Sequence, residues 1–359
     1  MTRQSRQSTR AARDKQAARD TPKRQKGKGR AGVALLIITG GSALLVLCMA
    51  FSVTRGSITI PLSSVLDAFL RFDGSNTHHV IITQLRLPRV IASALVGAAF
   101  AVAGAIMQGI TRNPLADSGL MGLNAGAGLA LALCFAFFPQ VSYLQIIIFS
   151  FVGAALGAGL VNGVASLRRG GATPMRLVLA GAAVSALLVA LSQGITLYFK
   201  VVRSITFWTL GGVAGCDWEQ LAIVAPLIGA ALLGALALSR FVSILSLGDE
   251  VARGLGVNTM LVGVLCSVVV LLLAGTAVAV VGAVSFVGLI VPHLARFLVG
   301  VDYRWIIPSS AVLGALLVVL ADLGARTLAP PFEAPIGAII ALIGVPFFLH
   351  LARRQRRAQ

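Results

Sequence analysis

Apolar runs of about twenty residues recur along the chain, separated by short polar or glycine-rich breaks, and a helix of that length crosses a hydrocarbon core of about 30 Å. The runs fall near 31–53, 88–108, 119–138, 144–166, 174–198, 220–239, 257–281, 284–299, 306–325 and 335–352. The stretch 257–299 carries one charge, Arg296, and needs two helices, so the pattern predicts a break around Gly282. Its second piece is short for a full crossing, which keeps a nine-helix arrangement as an alternative. Residues 57–72 (SITIPLSSVLDAFLRF) are too polar to span and predict a short amphipathic helix on the outer surface. The expected class is an all-α integral membrane protein of about ten transmembrane helices: a basic disordered tail over 1–30, a membrane domain over 31–352 and a basic C-terminal tail over 353–359.

Small residues recur within the runs. Gly122-x-x-x-Gly126, Gly153-x-x-x-Gly157 and Gly159-x-x-x-Gly163 place glycines on single helical faces, where backbones can approach closely, and helix packing is the expected use. Composition agrees: 57% of residues are hydrophobic and 12% charged, against about a quarter charged in soluble domains. Cys48, Cys134, Cys216 and Cys266 are scattered without metal-ligand spacing and read as small apolar packing residues.

The net charge of +18 gathers at the ends. Residues 1–30 hold eleven Lys/Arg against Asp14 and Asp20, and Arg353, Arg354, Arg356 and Arg357 follow the final run. Such tails anchor on the cytoplasmic side against anionic lipid. Membrane lipid, not nucleic acid, is the expected partner of these tails. Ten helices bring both termini to that side of a cytoplasmic (inner) membrane. The loops themselves barely discriminate, with eight basic residues inside and seven outside, so the outer arginines require a reason.

The chemistry is sparse. Asp322 is the one carboxylate inside a span, whereas an ion-coupled carrier places coordinating groups at midplane depth. None of Lys15, Lys23, Lys26, Lys28 and Lys200 belongs to a phosphate-binding G-x-x-x-x-G-K-[ST] loop. His78 and His79 are adjacent and ill placed to chelate one metal, and His293 reads as a packed helix residue. Catalysis and a metal site in this chain are therefore not expected. A secondary carrier and a membrane-anchored scaffold built around the basic tail are the rival classes; deletion of residues 1–28 separates the second, because uptake should survive it in a transporter.

Three segments carry more information. Arg86-Leu87-Pro88-Arg89 precedes the second run, with Pro88 suited to the first turn of a helix and the arginines expected as fixed cations at the outer mouth. Arg112-Asn113-Pro114-Leu115-Ala116-Asp117 forms the inner connection that follows. Leu247 to Gly256 (LGDEVARGLG) predicts a short polar helix with a glycine at each end, whose Val251 and Leu255 make an i,i+4 apolar pair.

Together these segments closely resemble the FecCD/BtuC-type permease subunits of ABC importers for iron–siderophore, haem and cobalamin. The resemblance runs from about residue 31 to 352. It is carried by RLPRVIASALVGAAFAVAGAIMQGITRNPLADSGLMGLNAGAG within 85–128, LSLGDEVARGLGV at 245–257 and GAVSFVGLIVPHLARFLVG at 282–300. It implies the type II ABC importer permease fold, with two permease subunits, identical or paralogous, around a central pathway. It also implies a dimer of cytoplasmic ATPase subunits, which carry the ATP and Mg; no cofactor is expected in this chain. Gly248, Asp249, Glu250, Arg253, Leu255 and Gly256 match the loop that contacts the ATPase. Arg86, Arg89 and, in DLGART, Arg326 match arginines that dock an extracytoplasmic binding protein. Asn113 and Leu115, and separately Thr173, Pro174 and Met175, match regions that constrict the cytoplasmic end of the pathway, although relatives often carry small hydroxyl residues where this chain has Pro174 and Met175. The implied cargo is a ferric siderophore complex, with haem or cobalamin as the alternative.

Overall fold

The computed structural model describes residues 27–56, 58–117, 119, 122–138, 140–167, 174–202, 205, 212–282, 284–328 and 333–356. The helices are α1 (Gly27–Thr54), α2 (Leu62–Leu70), α3 (Thr77–Val80), α4 (Leu87–Thr111), α5 (Leu123–Phe137), α6 (Tyr143–Ser166), α7 (Pro174–Tyr198), α8 (Trp218–Leu245), α9 (Asp249–Gly254), α10 (Thr259–Val281), α11 (Val287–Val299), α12 (Tyr303–Thr327) and α13 (Ile336–Arg356). Among the described residues seven helices are long and apolar enough to cross a membrane. Three shorter apolar helices, Leu123–Phe137, Val287–Val299 and Ile336–Leu349, complete the ten expected runs.

One boundary differs from expectation in an informative way. The second span does not begin at Pro88: α3 passes through a π-helical turn at Ile81–Arg86 directly into α4, so helix is continuous from Thr77 to Thr111. Proline removes one backbone donor and its ring crowds the preceding turn, and a wider turn absorbs both. The break expected at Gly282 is present. α10 stops at Val281, Gly282 takes φ 73°, and Phe286 enters α11 with φ 72°, a left-handed conformation unusual for a bulky residue. At 1.5 Å per residue the 13 residues of α11 extend about 20 Å, short of a full crossing.

α4 is the centre of the bundle, packing on α8, α10, α11 and α12. It does so with small residues: Ala99, Ala101, Ala103 and Ala105 are fully buried. Gly97 lies against the backbone of Gly314 in α12, and Gly104 against that of Gly288 in α11. A second crossing joins α5 to α6, where Gly122 and Gly126 meet Gly153 and Gly157. Two of the three glycine repeats therefore serve packing as expected. Gly159 and Gly163 do not: an added Cβ at either would meet nothing within 4 Å.

The bundle has two ends. At the basal face Arg30, in the first turns of α1, overlies Gly300 after α11. At the distal face the C-terminal ends of α1 and α12 meet the start of α4. The amphipathic segment lies distally as α2, with Val65 and Ala68 buried and Leu62, Leu66, Phe69 and Leu70 exposed, the pattern of a helix lying in a membrane interface.

Candidate functional site

An α-helix leaves its last four carbonyls without partners in the helix itself. In α1 each finds one. The Thr54 hydroxyl donates to Phe51 O (2.7 Å), Arg326 Nη1 to Ser52 O (3.5 Å), Arg86 Nη1 to Val53 O (2.7 Å) and the Ile60 amide to Thr54 O (3.0 Å). Two of the three distal arginines are thus the C-terminal cap of α1, where cations also complement the helix dipole. Arg86 donates further to Ile58 O, and Arg326 to Arg55 O and the Ser52 hydroxyl.

Arg89 completes the cluster. Its Nε and Nη2 reach Asp322 Oδ1 at 3.0 and 2.8 Å, while Nη1 and Nη2 reach Glu333 Oε1 and Oε2, each at 2.9 Å. Arg326 Nη2 stands 3.0 Å from Asp322 Oδ2, a charge contact one turn along α12 rather than an aligned hydrogen bond. Arg86, Arg89 and Arg326 are 7%, 9% and 4% exposed. The expectation of fixed cations standing at the mouth is corrected accordingly: these side chains are buried, because the carbonyls and carboxylates that neutralise them are inside. A depression of about 260 Å³ still opens over Arg86, Arg89, Arg326 and Glu333.

Sequence reasoning missed Asp322, Glu333 and Ser52 as parts of this site. The i,i+4 spacing of Asp322 and Arg326 was the available signal.

Glu333 is the accessible member of the cluster, with its side chain 37% exposed. The hydrogen bonds from Arg89 hold its carboxyl below the usual range, against the opposing effect of burial. Because the folded value is depressed, the clasp stabilises the protein above the ordinary carboxylate pKa of about 4.3 and is lost as pH falls through the depressed value. Glu333→Gln is expected to cost about 1 kcal/mol at neutral pH, as a half-exposed pair should. That deficit should vanish in acid, as read by thermal unfolding of both proteins across pH; a pH-independent deficit would count against the clasp.

At the basal face, α9 matches the expected short polar helix. Gly248 opens it at φ 120° and Gly256 follows it at φ 77°, backbone conformations that suit glycine. Ala252 is fully buried underneath, while Leu247, Val251 and Leu255 are exposed at 65%, 47% and 63%. Asp249, Glu250 and Arg253 are exposed around them, and Arg253 Nε lies 3.5 Å from Thr259 Oγ1. The result is a short helical knob with an apolar crest.

The knob is tied to the loop after α4. Arg112, left-handed at φ 53°, caps that helix and reaches Asp249 Oδ2 at 3.4 Å. In the same loop the Asn113 side chain accepts the Leu115 amide at 2.9 Å and fixes the turn. Asn113 and Leu115 are half-buried here, and Asp117 is buried close to Gly288. Thr173 lies outside the described residues. Pro174 and Met175 open α7, but their side chains are outside the described set, so this second gate region is placed only as the start of a helix.

Among the described residues no group of His, Cys, Asp and Glu could hold a metal ion. His79 is buried and accepts the Asp73 amide at 3.1 Å, and His293 stacks edge-on against Phe347. Cys134, Cys216 and Cys266 are buried free thiols, and Cys48 is half-buried.

Seven helices long enough to cross a membrane and three shorter apolar ones, among the described residues, make up a multi-pass membrane bundle. The chain belongs to the FecCD transport family, whose model matches residues 44–354. It is 48% identical over 326 residues to the iron(3+)-hydroxamate import system permease protein FhuB of Bacillus subtilis (strain 168), covering 90% of this chain and 84% of that one. It is 38% identical over 326 residues to the ferric enterobactin transport system permease protein FepD of Escherichia coli (strain K12), covering 90% and 96%. Among solved structures, a metal-chelate type ABC transporter in an inward-facing conformation matches with a TM-score of 0.75 and 30% identity, over 89% of this chain and 99% of that one. The protein is therefore a multi-pass, non-catalytic permease subunit of the ABC transporter class with the type II importer fold, and ATP hydrolysis belongs to a partner ATPase.

Proposed function

We propose that the chain is one membrane half of an importer for ferric siderophores. The basal face, with both termini, is cytoplasmic and seats the ATPase dimer. The distal face receives cargo from an extracytoplasmic binding protein. A second permease subunit, a copy or a paralogue, closes the pathway. The permeases named for ferric hydroxamate and ferric enterobactin, similar over nine-tenths of this chain, support the cargo.

The observation that carries the drive is α9: a short helix clamped between two positive-φ glycines, with Leu247, Val251 and Leu255 bare. An apolar crest of this kind is a plug for a cleft in a partner. ATP binding and hydrolysis would move that cleft, and the Arg112–Asp249 contact would pass the motion to α4 and to the Asn113–Leu115 turn.

Truncating an interface anchor costs about 2 kcal/mol, or about thirtyfold in affinity. Leu255→Ala is expected to weaken ATPase binding by that order. Glu250→Ala and Gly256→Val should leave the assembled complex hydrolysing ATP while uptake of labelled ferric hydroxamate into proteoliposomes falls. Undiminished uptake by all three variants would remove α9 from the drive.

The docking proposal takes a specific form. Because Arg89 is already clasped, a carboxylate from the binding protein reaches it by taking the place of Glu333. Reversing the three buried arginines would only unfold the distal cap, so the informative variant is again Glu333→Gln. It removes the internal competitor and should tighten binding-protein association at neutral pH, measured by interferometry on nanodisc-held complex.

A further inference from the structure

The basal face holds a second feature beside α9. A cavity of about 610 Å³ lies between the basal ends of α4, α8, α11 and α12, lined by Arg112, Arg240, Arg296 and Arg304 with one carboxylate, Asp302. Two of the arginines are answered within the protein: Arg304 is clamped on Asp302 at 2.7 Å, and Arg112 leans on Asp249 at 3.4 Å.

The other two are not. Arg240 lies over the ring of its neighbour Phe241, 4.8 Å from the centroid. Arg296 donates Nη2 to the Tyr303 hydroxyl at 2.5 Å, while its buried Nε has no acceptor. Among the described residues neither faces a carboxylate within ion-pair distance. Buried guanidinium nitrogens are almost always paired, and paired arginines present planar, bidentate donors that match phosphate oxygens. The cavity therefore has an excess of fixed positive charge and a shape that admits a small anion.

Its rim distinguishes a lipid from a free ion. Val301, in the lining itself, is 70% exposed, and Phe297, next to Arg296 in sequence but outside the lining, is 79% exposed. An amphiphile could lay its chains along this apolar rim while its phosphate entered the arginine cluster, as headgroups do in basic pockets between spanning helices.

We propose that this cavity is a binding site for a phosphate-bearing anion, supplied by the headgroup of an acidic phospholipid, between Arg240 and Arg296. The site ties the ends of α8 and α11 together through a ligand instead of a protein carboxylate. It borders the α9 contact, sharing Leu247 and Arg112 with it, and does not depend on the identity of the cargo.

The test uses the permease–ATPase complex in nanodiscs of phosphatidylcholine doped with phosphatidylglycerol, with lipid retention read by native mass spectrometry. The complex should retain phosphatidylglycerol over phosphatidylcholine by about tenfold. Arg240→Gln, at an exposed position that folding tolerates, and Arg296→Gln should each reduce that preference, whereas Arg353→Gln, an exposed arginine beyond the cavity, should not. Inorganic phosphate identifies the source. If it fails to displace the retained lipid, the headgroup is the ligand; if it competes at millimolar concentration and stabilises the complex but not the variants, the anion is drawn from solution. Equal retention of the two lipids with no effect of phosphate overturns the site. So does a cross-link from Arg240→Cys to the ATPase, which would fill the cavity with protein.

Discussion

Replacing Asp322 by asparagine is expected to cost about 3–5 kcal/mol, the loss that follows when one partner of a buried ion pair is removed. Asp322 is fully buried and is contacted by two guanidiniums, Arg89 through Oδ1 and Arg326 near Oδ2. Asparagine keeps the shape but leaves Glu333 alone to neutralise a cluster of three arginines. The uncompensated charge cannot be solvated cheaply in a site this deep. The expected result is poor recovery of folded protein and a sharply lowered melting temperature for what survives. Two comparisons separate charge from packing. Ser52→Ala removes a hydrogen bond and should cost about 1 kcal/mol. Adding Arg326→Gln to Asp322→Asn restores charge balance and should recover part of the loss. If the single Asp322 variant melts within about 1 kcal/mol of the parent, the cluster is better hydrated than its burial implies.

The second large effect is expected at Gly104. A Cβ there would run into the backbone of Gly288, and backbone does not yield as a side-chain end does. Overpacking ordinarily costs about 1–3 kcal/mol when neighbours can shift, and here α11 must move bodily. Gly104→Val should therefore lie at or above that range and separate α4 from α11, with loss of both stability and transport. Gly159→Ala is the matched control. It sits on a helix face with nothing within 4 Å, and exchange of an exposed helical glycine for alanine gains up to about 1 kcal/mol. Thermal unfolding of the two variants side by side decides the point: similar losses would mean that close approach is not what the glycines supply.

Much of this architecture was legible in the hydrophobic pattern because each span buries or presents an apolar surface along its whole length. The runs at 144–166, 174–198 and 257–281 match α6, α7 and α10 within two residues. The break at Gly282 and the glycine-bounded helix at 249–254 were visible for a local reason, since both depend on glycine conformations. What depends on distant partners was not. Arg89 finds its carboxylates 233 and 244 positions away, and no periodicity encodes such pairings. The extension of helix back to Thr77 was hidden as well, because THHVIITQLR is too polar at its ends to read as a span. The three arginines were recognised as a group, yet their burial was not: chain topology puts them at a membrane face, the carbonyl end of α1 draws in Arg86 and Arg326, and Asp322 and Glu333 draw in Arg89.

The cap on α1 bears on how the protein is made. α1 is translated before α4 and α12 and has little buried surface of its own. Two of the four donors that close its final turn are local, and the other two come from Arg86 before α4 and from Arg326 near the end of α12, which is translated some 270 residues later. Until that last donor is in place, Ser52 O lacks its guanidinium partner. The cap of α1 is therefore completed only once α12 has been made, so the first described helix is closed by one of the last.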